Sequence, residues 1–221
     1  MKRHPGNHNL PLHNEPTFLN LPVQVTKGPL VEPYLSRAYL TIQRALDEHP
    51  RTLVVRFDLH FPKWIVPGDA DFSNSVISNF FVHLKEIIKH DRNRAAKRNG
   101  TAHGSSVRYV WAREVGSLAK DGRPHFHVLL LLNRDAYNTL GSFNSNQENL
   151  FKRIETAWCR ALQINLAVAD GLVEIPEKAT YFLDRGDEAG LSDVFYRTSY
   201  LCKADTKKYG EGFHGFGCSR I

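Results

Sequence analysis

The stretch His125-Phe126-His127-Val128-Leu129-Leu130-Leu131-Leu132-Asn133 decides how the rest of this chain reads. Alternate residues of a β-strand face the same side of a sheet, so the two histidines project from one face. The run Val128 to Leu132 behind them is apolar without alternation. A strand that is apolar on both faces belongs inside a sheet, so this is a central strand. Two imidazoles side by side in such a place are costly unless a polar group or an ion satisfies them. A divalent metal is the simplest partner for both.

Outward from this strand the pattern is regular. Residues 107–115 read as a strand ending in Arg113-Glu114, followed by a loop over 116–124. Residues 72–98 read as a long helix, with Val76, Ile77, Phe80, Phe81, Leu84, Ile87 and Ile88 on one stripe. Thr52-Leu53-Val54-Val55-Arg56-Phe57-Asp58-Leu59-His60-Phe61 is strand-like and is stopped by Pro62. A first helix is predicted over 32–49, where Tyr34, Ala38, Ile42 and Leu46 recur at helical period before Pro50. Downstream come a helix over 147–162 and a short strand over 172–175. Ser192 then caps a last helix running to about 209, with Gly210 as its stop. Residues 52–175 thus read β-α-β-β-α-β. That order is the signature of an α+β, ferredoxin-like or RRM-like antiparallel sheet with helices on one face. Residues 1–28, rich in His, Asn and Pro, read as an irregular arm, which leaves 29–221 as one domain.

The chain has 221 residues, 42% of them hydrophobic, enough for one sizeable core. Its net charge of +6 favours a polyanionic partner. Arg92, Arg94, Lys97 and Arg98, together with Lys207 and Lys208, are candidate DNA contacts on charge alone. The first four also suit the dipole of the helix they end. Three cysteines without CxxC spacing point to a reducing compartment. No apolar stretch approaches the ~20 residues of a membrane span, and the N-terminus lacks the apolar core of a signal peptide. The expected location is the cytoplasm, with no membrane partner.

Glu114 joins the histidine pair if its strand runs antiparallel to theirs with Glu114 opposite His125. Ala112 then stands opposite His127 and leaves space beside it. A slip of one residue puts Glu114 on the wrong face, so it is a conditional third metal ligand beside His125 and His127. Asp58 and His60 share one face of the first strand and are further candidates. Two nitrogens and a carboxylate with open positions suit Mg²⁺ or Mn²⁺ in phosphoryl transfer, although Zn²⁺ binds such donors more tightly.

Tyr196, Tyr200, Lys203 and Lys207 are spaced as one stripe on a helix. Such a stripe is ordinarily a packed core face; this one carries two phenols and two amines. A phenol, with a pKa of ~10, is a poor nucleophile at neutral pH. A neighbouring ammonium and a metal-polarised phosphate make its attack feasible. Attack on a DNA phosphodiester would give a phosphotyrosine on one end and a free 3′-hydroxyl on the other.

These motifs resemble those of the HUH endonuclease superfamily, specifically its rolling-circle replication initiators. His125-Phe126-His127 is similar to that family's His-hydrophobic-His strand motif. Tyr200-Leu201-Cys202-Lys203 is similar to its Tyr-x-x-Lys helix motif, and the tyrosine follows the histidines as in the initiators. With Arg56-Phe57-Asp58-Leu59-His60 and Gly122-Arg123-Pro124 added, the likeness is closest to the inovirus-type replication proteins of filamentous phages and prophages, the YagK/YfjJ-like group. It covers about residues 35–220. The resemblance implies an HUH-type nuclease domain that nicks and joins single-stranded or origin DNA with a divalent metal. It makes His125 and His127 metal ligands, Tyr200 the nucleophile and Lys203 a phosphate-positioning group. Tyr196 becomes a possible second nucleophile, although Ser199, not a lysine, stands three residues after it. The chain has no Gly-x-x-x-x-Gly-Lys-Ser/Thr loop, so the expected unwinding partner is a host helicase.

Two other readings fit the same residues. One is a non-catalytic nucleic-acid-binding regulator, or decayed prophage remnant, on the same fold. The other is a hydrolytic metalloenzyme acting on a small phosphoester.

Overall fold

The computed structural model describes residues 2–65, 72–115, 123–143, 148–205, 207 and 212–220. Its first thirty-odd residues form β1 (Arg3–His4), β2 (Asn7–His13), β3 (Thr17–Phe18), β4 (Leu21–Pro22) and β5 (Leu30–Val31), leading into α1 (Glu32–Glu48). Then come β6 (Arg51–His60), α2 (Asn74–Asn99), β7 (Arg108–Val115), β8 (Pro124–Asn133) and α3 (Leu150–Leu162). The chain continues through β9 (Val173–Glu174), β10 (Thr180–Asp184), α4 (Glu188–Ser199), a 3-10 turn at Tyr200–Cys202, and β11 (Phe216–Cys218).

The main sheet is antiparallel throughout, in the order β10-β6-β8-β7-β11, with β9 also pairing the outer side of β6. Strand β8 lies between β6 and β7, so the units β6-α2-β7 and β8-α3-β9 interleave. This is the split β-α-β arrangement expected from residues 52–175, and the class is α+β. β6 and β8 are apolar on both faces, and both faces are covered. Leu53, Phe57, Phe126, Leu130 and their neighbours pack beneath α2 and α3 with Phe80 and Trp158. Val54, Leu129 and Leu131 pack beneath α1 and α4 with Leu35, Ile42 and Phe195. The expectation of helices on one face is therefore corrected. A central strand with two apolar faces exposes one of them unless a second layer covers it.

Three further expectations are corrected. Residues 1–28 are not simply irregular: β1, β2 and β5 form a three-stranded sheet, with Leu12 opposite Val31 and His13 opposite Leu30. The arm's polar composition conceals this, because its partner strand lies outside it. The last helix starts earlier and stops earlier than expected. Asp187, not Ser192, caps it through a hydrogen bond from the Gly190 amide at 2.9 Å, and it ends at Ser199. Lys203 is extended (φ −54°, ψ 139°) and bridges Leu30, while the Ala204 amide donates to the Pro29 carbonyl at 2.9 Å. Pairing with the N-terminal segment replaces further helical bonds, so the four-residue helical stripe does not form. Gly210, the expected stop, lies outside the described residues. Strands β10 and β11 were not expected from sequence; both are short edge strands.

Among the described residues no helix is long and apolar enough to cross a membrane.

Candidate metal centre and tyrosine turn

Register places the site. Along β7 and β8, Glu114 stands opposite His125 and Ala112 opposite His127. Along β6 and β8, Asp58 stands opposite His127 and His60 opposite His125. Parity puts all of these on the face covered by α1 and α4. There the strands change from Val54, Val110 and Leu129 to charged and imidazole side chains. The condition set on Glu114 is met, and Asp58 and His60 share its face. One donor atom each from Glu114, His125 and His127 lies within 4.8 Å of the others.

The His127 ring is held from both sides. Its Nδ1 lies 2.6 Å from Asp58 Oδ1, and its Nε2 lies 3.2 Å from Glu114 Oε2. The Arg56 guanidinium pairs with the same Asp58 oxygen and comes within 2.7 Å of Nδ1. Burial pushes the Asp58 carboxyl up, but the His127 hydrogen bond and the Arg56 charge outweigh it and hold it down to about 2. An ionised Asp58 can only accept, so a proton on Nδ1 is donated to it, although the same nitrogen also faces the Arg56 donor. Nε2, the other ring nitrogen, is buried and faces Glu114 Oε2. A buried nitrogen without a donor, beside a carboxylate and a second imidazole, is the environment a cation satisfies. Burial, and then the neighbouring His127, push His125 down to about 4, so this ring is neutral and offers a lone pair near pH 7. These residues fit a divalent metal.

Glu114 balances more than one group. Its Oε1 lies 3.5 Å from Lys203 Nζ and 3.6 Å from Lys207 Nζ. Burial pushes its carboxyl up, but the His127 hydrogen bond and the two ammonium charges hold it well below the usual range. Burial lowers Lys207 to about 8 against the opposing pull of Glu114.

The tyrosine arrives from the 3-10 turn. Leu201 and Cys202 are fully buried and pin that turn to the α1/α4 layer. The Tyr200 ring meets the His127 ring edge-on, with centroids 5.6 Å apart. Lys203 Nζ sits 3.8 Å from the Tyr200 ring centroid, a cation–π contact. His60 stacks on His125 at 5.6 Å and places its Nε2 3.2 Å from Glu174 Oε2 on β9.

Other expected site residues lie elsewhere. Tyr196, in the last turn of α4, is 43% exposed. Arg92 pairs with Asp91 and donates to the Ala136 carbonyl at 3.3 Å, just past the far end of β8 from His125. Ten residues of strand separate those ends by about 30 Å. Arg94, Lys97 and Arg98 follow it along α2, away from the imidazoles; Arg94 lies 3.7 Å from Glu148. Lys207, expected at a DNA-facing surface on charge alone, is buried against Glu114. Lys208 lies outside the described residues. Sequence reasoning gave no role to Arg56 or Glu174. A legible signal existed for Arg56: a charge inside an apolar strand, two residues from an acid on the same face, needs that acid as its partner.

Comparison with known proteins agrees along the length of the chain. It is 34% identical to the uncharacterized protein YfjJ of Escherichia coli (strain K12) over 203 residues, covering 87% of this chain and 96% of YfjJ. It is 32% identical to the uncharacterized protein YagK of the same organism over 206 residues, covering 90% of this chain and 97% of YagK. No solved structure matches. The YagK/YfjJ C-terminal domain model matches residues 13–219 and so takes in all the residues of the site. The chain belongs to the YagK/YfjJ C-terminal domain family.

Proposed function

We propose that this protein is an HUH-type endonuclease that nicks and rejoins single-stranded DNA through a phosphotyrosine at Tyr200. Its role in this reading is to initiate rolling-circle replication of a filamentous phage, prophage or plasmid in the bacterial cytoplasm, with a host helicase opening the duplex. One observation carries it. The Tyr200 ring packs on His127, a member of the candidate ligand set, with the Lys203 ammonium 3.8 Å from its centroid.

His125, His127 and Glu114 would hold a divalent cation, and that cation supplies Lewis-acid polarisation of a phosphoryl oxygen. Two imidazoles and one carboxylate suit Mn²⁺ better than Mg²⁺, which prefers oxygen ligands. Asp58 fixes the His127 ring, and Arg56 keeps Asp58 charged. Lys203 adds positive charge beside the attacking phenol. Tyr200 Oη forms a bond to phosphorus while the bond to the 3′ oxygen breaks. The phenol proton passes to water, and the departing 3′ oxygen takes up a proton. The new ester retains the energy of the phosphodiester, so a 3′-hydroxyl can reverse the step.

A specific observation favours a second reading, a non-catalytic nucleic-acid-binding regulator. Lys203 and Lys207 already balance Glu114 without any metal. Incubation with single-stranded origin DNA and Mn²⁺ separates the two. The enzyme gives a protein–DNA adduct that survives denaturing electrophoresis and is absent in Tyr200→Phe. Identical products from wild type and Tyr200→Phe overturn the nuclease.

A further inference from the structure

Beside the imidazoles lies a cavity of about 740 Å³, lined by His60, His125, Lys63, Trp64, Arg123 and Glu174 among others. Of the three tryptophans, Trp111 and Trp158 are buried in the core, while Trp64 is 60% exposed. An exposed indole over a cavity is unusual enough to need a reason. The backbone that carries it is held in place. The Arg123 guanidinium donates to the carbonyls of Pro62 at 2.6 Å, Lys63 at 2.6 Å and Ile65 at 2.8 Å. Arg123 lies two residues before His125, so the same strand entry that aims the imidazole also fixes the turn presenting Trp64.

We propose that Trp64 is a stacking platform for an unpaired base of single-stranded DNA, seated in this cavity next to the phosphate that meets His125. The inference rests on the reading of the site as one that handles single-stranded DNA, and it adds the residue that grips the strand beside the cut. A flat aromatic face takes any base. The charges set the path of the strand. Lys63, Arg123, His60 and His125 line this cavity together with the carboxylates Asp170 and Glu174. The adjoining cavity, of about 860 Å³, shares Asp170 and Glu174 with it and adds Glu148, Glu155 and Lys152, so its lining is net negative and disfavours phosphates. The base therefore stacks on Trp64 with its phosphates drawn to Lys63 and Arg123 and away from the carboxylates that the two cavities share.

The test uses the full chain and a dodecathymidylate probe in EDTA, where binding is read without cleavage. Because Trp64 alone among the tryptophans is exposed, its quenching by the probe reports stacking directly. Wild type shows quenching. Trp64→Ala loses it and binds a labelled probe roughly tenfold more weakly by fluorescence anisotropy, with an unchanged far-UV circular dichroism spectrum. Trp64→Phe keeps most of the affinity. Binding by wild type without quenching, or equal affinity in Trp64→Ala, overturns the inference. The Mn²⁺ adduct assay is scored separately. An adduct with no effect of Trp64→Ala sinks the platform alone, quenching without an adduct sinks the nuclease alone, and no binding sinks both.

Discussion

Asp58 Oδ1 meets His127 Nδ1 at 2.6 Å, on the edge of the imidazole opposite Glu114. The pairing of Asp58 with His127 across β6 and β8 makes this contact. A carboxylate on the far nitrogen orients the ring and raises its basicity. Asp58→Asn should therefore weaken Mn²⁺ binding about 10- to 100-fold by isothermal titration calorimetry, while the family of ligands itself stays intact. Unchanged affinity would show that Asp58 serves only as the partner of Arg56.

Glu114 is the counter-charge of the buried Lys207 as well as a candidate ligand. Glu114→Ala should cost about 3–5 kcal/mol in urea unfolding, the cost of leaving a buried charge uncompensated. Lys207→Met in the Glu114→Ala background should recover a good part of that loss. If the double variant is as unstable as the sum of the two single ones, the groups are not coupled.

Tyr196 and Tyr200 differ in environment although one helical turn separates them in sequence. Tyr196 is exposed at the end of α4, whereas Tyr200 is in the 3-10 turn against His127. Tyr196→Phe should leave the DNA adduct at wild-type yield under the Mn²⁺ assay, and Tyr200→Phe should abolish it. Loss of the adduct in Tyr196→Phe would require two alternating nucleophiles.

Far from the site, Asp91 accepts from the Tyr137 hydroxyl at 2.7 Å and pairs with Arg153 at 2.6 Å and with Arg92. Burial raises its carboxyl, but the Tyr137 hydrogen bond and the two arginines outweigh it and leave the pKa lowered. A carboxyl lowered in the folded state stabilises that state fully above its unfolded pKa of ~3.9. That contribution fades as pH falls below this value and through the folded one. Asp91→Asn should thus be destabilised by about 3 kcal/mol at pH 7 and by clearly less near pH 2. A pH-independent gap in urea midpoints would contradict the ion-pair account.

The alternation of His125 and His127 and the apolar run behind them were enough to place a central strand and one shared face. The β-α-β-β-α-β order and the position of Glu114 opposite His125 follow from the same reading, given one register. What remained hidden depends on partners remote in the chain. Residues 3–13 look irregular until Leu12 finds Val31. The edge strand β11, of three residues, is too short to announce itself, and β10 owes its place to pairing with β6 far away in the chain. The second layer of helices is visible only once β6 and β8 are seen to need cover on both faces.

By itself the sequence determined which residue types alternate, hence which side chains share a face, because strand geometry fixes that parity locally. Only the tertiary structure decided that β6 pairs with β8 in the register bringing Asp58 to His127. Only it ended α4 at Ser199, through the bridge from Lys203 to Leu30. Hydrogen bonds between segments more than a hundred residues apart compete with local helical ones, and nothing in a local window records which of them wins.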